Sequence, residues 1–323
     1  MKKYLLLFFP IIIFSQIKVK KKLAHTYSII AIDEKTGEMA VGVQSHWFSV
    51  GTIVSWAKSG VGVVATQSFV NPAYGPEGIK LMESGVSAEN ALNQLVSEDD
   101  SREYRQVAML DVNGSIKAFT GEKCIISAGQ YIGKNFSVQA NMMLNDKVVP
   151  SMKKAFEENF KLPLAERIIK VFEAAEKSGG DIRGKQSAVI LVVGLKKVKN
   201  EWEDKKIDLR VDDSENPIKE IKRLLKVSRA YEHMNKGDVA IEKGDMQKAL
   251  SEYASAERLF PQNLEMKFWK AVALLNNSRV SQAREIFKYV INKNKNWEKL
   301  LLRLPASNLV SLTKNQIKNQ ILQ

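Results

Sequence analysis

A chain of 323 residues is long enough for two domains, and 45% apolar with 26% charged residues places it among ordinary globular proteins. Its net charge of +13 is spread along the chain, apart from the run Lys18-Val19-Lys20-Lys21-Lys22, with no aromatic-interleaved basic stripe, which argues against nucleic acid as a partner. Cys124 is the only cysteine, which excludes an intramolecular disulfide, a cysteine-based zinc cluster and a lipid-bearing cysteine behind the N-terminal apolar run.

Lys2-Lys3 precede the apolar run Tyr4 to Phe14. This is a basic region followed by a hydrophobic region of secretory length, shorter than the roughly 20 apolar residues a bilayer crossing needs. The pattern predicts a signal peptide over 1–15, cut after Ser15, and export to the periplasm or the exterior if the source is bacterial; an uncleaved anchor is the competing reading. Residues 16–25 then form a short propeptide or linker.

From His25 the pattern turns to short apolar strands. Tyr27 to Ile32 and Glu38 to Val43 read as a hairpin around the Gly-containing loop Asp33-Glu34-Lys35-Thr36-Gly37. A third strand, Gly60 to Thr66, leads through the loop Asn71-Pro72-Ala73-Tyr74-Gly75-Pro76 into an amphipathic helix over Glu77 to Glu83. Ser87 is placed to cap a second helix carrying Glu89 in its first turn. Asn113-Gly114 marks a hairpin between Arg105–Asp111 and Ser115–Thr120. Cys124, after Gly121-Glu122-Lys123, reads as a buried structural thiol in a strand. After a strand over Ser137 to Met143, helices are predicted over Val148–Glu158 and Pro163–Lys177, ended by Gly179-Gly180-Asp181. Strands over Ser187–Val193 and Ile207–Val211 then precede a helix beginning near Pro217. The order of elements predicts an α+β domain with sheets sandwiched by helices.

Beyond residue 228 the pattern is helical. At a spacing of about 34 residues Gly237 aligns with Ala271, Ala249 with Ala283, Tyr253 with Phe287 and Ala256 with Val290, the small/large alternation of tetratricopeptide-like helix pairs. Two such repeats over 229–296, with a C-terminal helical extension over 297–323, are fewer than the three that usually stand alone, so they are expected to pack on the first domain, on the extension or on a partner.

Several segments carry a family resemblance: Gln44-Ser45-His46-Trp47-Phe48-Ser49-Val50-Gly51, Gly60 to Ser68, Asn71 to Pro76, Phe136 to Met142, Gly179 to Ala188 and Asp208 to Asp213. Over about 200 residues, taken as 26–225, they resemble the family called domain of unknown function 1028, placed in the N-terminal-nucleophile (Ntn) hydrolase superfamily. The resemblance implies a four-layer αββα sandwich whose first strand presents its own first residue, here Thr26, as nucleophile. A free α-amine, with a reference pKa near 7.7, can serve the hydroxyl of the same residue as local base through one water. While His25 acylates Thr26 that amine is an amide, so activity requires a cut before Thr26.

The supporting set is less specific. The resemblance suggests Lys58 as an electrostatic partner; a solvated turn lysine is the plainer alternative. Ser45 and His46, at the exit of the hairpin, return to the start of the first strand by antiparallel pairing, where His46 is an acid/base candidate or a structural histidine. Gln67, Ser68 and Asn71 after the third strand, and Asn141 at the end of another, can donate to an oxyanion or cap loops. Asp181 and Arg183 can hold a substrate carboxylate or each other. With no phosphate-binding loop, no HExxH and three histidines in all, neither a cofactor nor a metal is expected.

The function these readings imply is an exported amidohydrolase acting on a small amide or peptide-like substrate. The alternative is a non-catalytic scaffold whose tail recognises a protein or peptide. A homo-oligomer is compatible with either.

Overall fold

The computed structural model describes residues 22–323, with side chains from Ala24 onward. The expected signal peptide at 1–15, and the expected propeptide up to residue 21, lie outside the described residues. Among the described residues no helix is long and apolar enough to cross a membrane.

Two antiparallel sheets organise the first domain, a mixed α+β arrangement. The first sheet contains β1 (Lys22–Ala24), β4 (Ser55–Lys58), β5 (Gly62–Val70), β6 (Arg105–Asp111) and β7 (Ile116–Thr120). The second has the order β11-β10-β3-β2-β9-β8, from β2 (Thr26–Asp33), β3 (Glu38–Ser45), β8 (Gly129–Ile132), β9 (Phe136–Ala140), β10 (Ser187–Gly194) and β11 (Lys205–Val211). The β2–β3 hairpin closes as its sequence dictates. The Asp33 carboxylate accepts from the backbone N–H of Lys35 and Thr36, and Gly37 turns the chain at φ +67°.

The alternation of each strand decides what it faces. Tyr27, Ile29 and Ala31 of β2 pack with Phe156, Ile168 and Phe172 of α3 (Val148–Glu158) and α4 (Leu164–Lys177). Ile30 and Ile32, with Met39, Val41 and Val43, face Val63, Ala65 and Leu110 of the other sheet. On the far side of the first sheet, Val64, Val107 and Met109 meet α1 (Tyr74–Glu83) and α2 (Ala88–Ser97). Ser87 caps α2 by accepting from the Asn90 N–H. Asp111 holds the same end through the Ala88 N–H and also accepts from Asn113 and Ser115 in the next turn.

Three expectations need correction. Strands β4 and β8 are absent from the sequence reading, because four-residue edge strands such as Ser55–Lys58 and Gly129–Ile132 carry too little alternation to register. β5 runs on through Gln67 and Ser68 to Val70, so those two residues lie within the strand and are buried. Cys124 sits in an irregular segment after β7 rather than in a strand, half-buried, with Sγ against the Arg105 carbonyl.

The C-terminal part is helical: α5 (Pro217–Glu242), α6 (Met246–Leu259), α7 (Leu264–Asn276), α8 (Val280–Lys293), α9 (Asn296–Leu301) and α10 (Lys314–Ile317). All eight residues of the small/large alternation, from Gly237 to Val290, are buried. α5 runs unbroken across positions 225–229, contributing Ile218, Ile221 and Leu225 to the first domain and Ala230, Met234 and Ala240 to the tail. Arg229 on this helix forms a two-pronged ion pair with Glu166 on α4, at 2.8 and 3.0 Å.

Phe172 is fully buried and meets Tyr27 edge-on, so Phe172→Ala is expected to lower the stability of the first domain by about 3–5 kcal/mol. Denaturant unfolding followed by tyrosine and tryptophan signals checks this; a loss below about 1 kcal/mol contradicts the packing.

Candidate active site

β2 begins where three other strands converge. Across from Thr26 lies Ser45, the last residue of β3, and Ser187 of β10 stands beyond it. On the other side β9 ends at Ala140, and the next backbone N–H, that of Asn141, donates to the Thr26 carbonyl at 3.1 Å. From the facing sheet the Gln67 amide reaches the same oxygen at 3.2 Å. Thr26 is fully buried, and its hydroxyl donates to the Ala24 carbonyl at 2.9 Å.

Residues before Thr26 do not lie in the same sheet. β1 pairs antiparallel with β5, with Ala24 opposite Ser68 and Lys22 opposite Val70. The chain therefore crosses from the first sheet to the second at His25. That side chain is 1% exposed, with its ring edge-on to Phe69 at 5.4 Å. Its Nδ1 lies 2.8 Å from the Asn141 side-chain oxygen. Because the Asn141 Nδ2 donates to the Gln106 Oε1 at 2.9 Å, the Asn141 oxygen is the acceptor and His25 Nδ1 carries the proton, an assignment made from the bonding network. His25 Nε2 is then a buried lone pair without a protein partner. Burial lowers the pKa of this imidazole, the bond to Asn141 opposes that, and the Arg183 charge reinforces it.

The His25 carbonyl, which forms the amide bond to Thr26, accepts two hydrogen bonds. Ser45 Oγ donates at 2.6 Å and Arg183 Nη2 at 2.7 Å. Arg183 is aimed by Asp181, whose side chain is fully buried and accepts from Arg183 Nε at 3.0 Å and Nη2 at 2.7 Å. Asp181 also receives the backbone N–H of His46 at 3.2 Å. Of the two roles open to Asp181 and Arg183 from sequence, each holds the other, and the arginine spans onward to the backbone before Thr26.

Ser68 carries backbone strain at the same place. It adopts φ +73° inside a strand and is fully buried, with its side chain against the Cys124 thiol. A non-glycine residue in that region costs of order 1–3 kcal/mol. Met142, just after Asn141, is also left-handed at φ +58°.

Thr26, Ser45, Gln67, Ser68, Asn141, Asp181 and Arg183 thus gather around one junction, and three expected residues do not. Lys58 ends β4 opposite Gly62, at the other end of β5 from Gln67, and both Glu83 carboxylate oxygens take its ammonium at 2.7 Å. The antiparallel register of β4 carries it away from Thr26 and leaves it as a surface ion pair. His46 follows Ser45 but its side chain is exposed, and the loop uses its backbone. Asn71 closes a turn, accepting from the Ala73 N–H through its side chain and from Thr66 Oγ1 through its carbonyl. The sequence reading missed His25 and Gln106, and also Gln139, whose side-chain amide donates to Ser28 Oγ at 2.6 Å and whose backbone carbonyl faces the Gln67 amide. Their signal was available: Gln67, Gln106 and Gln139 are inward-facing polar positions in otherwise apolar strands, and all are fully buried.

Residues 26–221 match the model described as Family of unknown function (DUF1028), and the chain belongs to that family. It is similar in structure to protein SPO2555 from Silicibacter pomeroyi, a crystal structure assigned to the same family. The two share 27% identity with a TM-score of 0.56 over 63% of this chain and 88% of that one. No curated protein matches the chain.

A depressed imidazole at His25 gives a signed pH dependence. The unfolded side chain takes up a proton near 6.5 while the buried one resists, so stability falls as pH drops below that value and is fully present above it. Acidification should lower the urea midpoint more for the chain with His25 than for His25→Phe, compared in chains whose intact mass includes residue 25; parallel pH profiles contradict the buried neutral imidazole.

Proposed function

We propose that this protein is an exported amidohydrolase of the Ntn type, in which Thr26 becomes the nucleophile once the His25–Thr26 bond is cut. One observation carries the reading: the carbonyl of that very bond accepts from Ser45 Oγ at 2.6 Å and from the Arg183 guanidinium at 2.7 Å. Two converging donors, one of them charged, stabilise the oxyanion that forms when a carbonyl is attacked. The packing of a helix pair, two facing sheets and a second helix pair suits the four-layer αββα sandwich of such enzymes. The family match also starts at Thr26.

The chemistry balances within the chain and one water. Thr26 Oγ1 adds to the His25 carbonyl carbon, its proton passes to the Thr26 nitrogen, and the C–N bond breaks, leaving an ester and a free α-amine. Water then cleaves the ester, releasing the His25 carboxyl group and restoring the hydroxyl. In later turnovers the α-amine takes the hydroxyl proton, Thr26 attacks the substrate amide, the proton goes to the leaving amine, and water hydrolyses the acyl-enzyme. Ser45 and Arg183 serve the oxyanion in both reactions, and Asp181 positions the arginine. The default substrate is a small amide or peptide-like compound. Export rests on the leader-type sequence before the domain.

Intact mass of the exported protein tests the reading. A chain beginning at Thr26 is expected, and Thr26→Ala should leave residues 16–25 attached. Arg183→Ala or Ser45→Ala should slow the cut by about 10²–10³-fold for each donor removed. A wild-type chain that stays joined through His25 would favour the non-catalytic scaffold instead.

A further inference from the structure

If Thr26 cleaves first its own chain and then a substrate, both reactions pass through an ester on the same oxygen. In the first, the acyl group on that oxygen is His25, trailed by Ala24, Leu23 and Lys22. The surface that holds residues 22–25 before the cut is therefore already shaped around an acyl-enzyme. Resting on the nucleophile reading, we propose that this surface is the acyl-side substrate groove, taking an extended peptide with histidine at the scissile bond and a small residue before it.

Two parts of the groove have different jobs. β4 covers the edge of β5 only over Gly62–Ala65, while β1 covers Ser68–Val70. Departure of residues 22–25 leaves the backbone groups of Ser68–Val70 free to pair with another extended chain, whatever its sequence. The selective part lies at its end. The His25 pocket offers the Asn141 side-chain oxygen as acceptor at 2.8 Å and Phe69 as an aromatic wall perpendicular to the imidazole, itself in a T-shaped contact with Tyr104. A flat side chain carrying an N–H satisfies both; an aliphatic one leaves the Asn141 oxygen unpaired in a buried site. Ala24 is fully buried in the core between the sheets, so the residue before histidine has room for little beyond a methyl group.

The test uses the chain from Thr26 to Gln323, released from a fusion cut directly before Thr26, and the fluorogenic amide acetyl-Lys-Leu-Ala-His-aminomethylcoumarin. Replacing histidine by alanine, or the preceding alanine by phenylalanine, should each lower kcat/KM at least tenfold. The product peptide ending in the histidine carboxylate should inhibit competitively. Phe69→Ala should shrink the histidine-over-alanine preference several-fold. Amide hydrolysis indifferent to the acyl residue overturns the groove and leaves the nucleophile. Binding of the product peptide without hydrolysis of any amide overturns the nucleophile and leaves the groove as a peptide site. Absence of both overturns both.

Discussion

Between the two sheets, the side-chain amide of Gln106 accepts from Gln67 at 2.6 Å and Asn141 at 2.9 Å, while its two N–H groups are shared among the Thr120 hydroxyl and the Gly129 and Ala140 carbonyls. Four strands and the Asn141 loop meet at this one residue. A buried amide with unpaired atoms is costly, and this one is satisfied only if the two sheets keep their spacing and register. Gln67 and Asn141, held by that junction, in turn hold the carbonyl of Thr26. The position of the candidate nucleophile is thus set from its acyl side, by neighbours that do not touch its hydroxyl.

The apolar surroundings explain why polar groups at this point are organised so tightly. Apolar side chains such as Ile30, Val41, Val43 and Val189 belong to the buried core between the sheets, and the polar cluster lies at one end of it. At its rim the part-exposed Arg183 pairs with the fully buried Asp181, so the guanidinium reaches the His25 carbonyl while the Asp181 carboxylate is not left as an unpaired buried ion. The strained Ser68 is part of the same end, held at φ +73° inside β5 opposite Ala24.

Much of this was legible in the sequence because local signals and tertiary demands agree. The β2–β3 hairpin, the Ser87 cap, α3 and the turn at Asn113-Gly114 all follow from patterns a few residues long. That hairpin alone places Ser45 beside Thr26. The illegible part is non-local. Nothing in a run of residues says that β1 belongs to one sheet and β2 to the other, yet that crossing is what buries His25 and lines up its carbonyl with Arg183, far away in sequence. Polar residues were read as strand ends because a glutamine interrupts an apolar run, although its parity with Val63 and Ala65 puts Gln67 on the inner face; its partners come only from the facing sheet. For Lys58, where two readings stood side by side, the register of β4 puts the ammonium in a surface ion pair with Glu83.

Helix α5, at 26 residues and about 1.5 Å per residue, is a strut of about 39 Å with one end in each hydrophobic core. No flexible tether of glycine and serine separates the two parts, so the tail does not roam through a volume around the first domain. Whatever the tail holds, it holds at a bearing set by the helix, in the manner of a bracket rather than a leash. Lengthening the strut by one residue would swing that bearing by about 100° around the helix axis, while a whole number of turns would mostly change the reach.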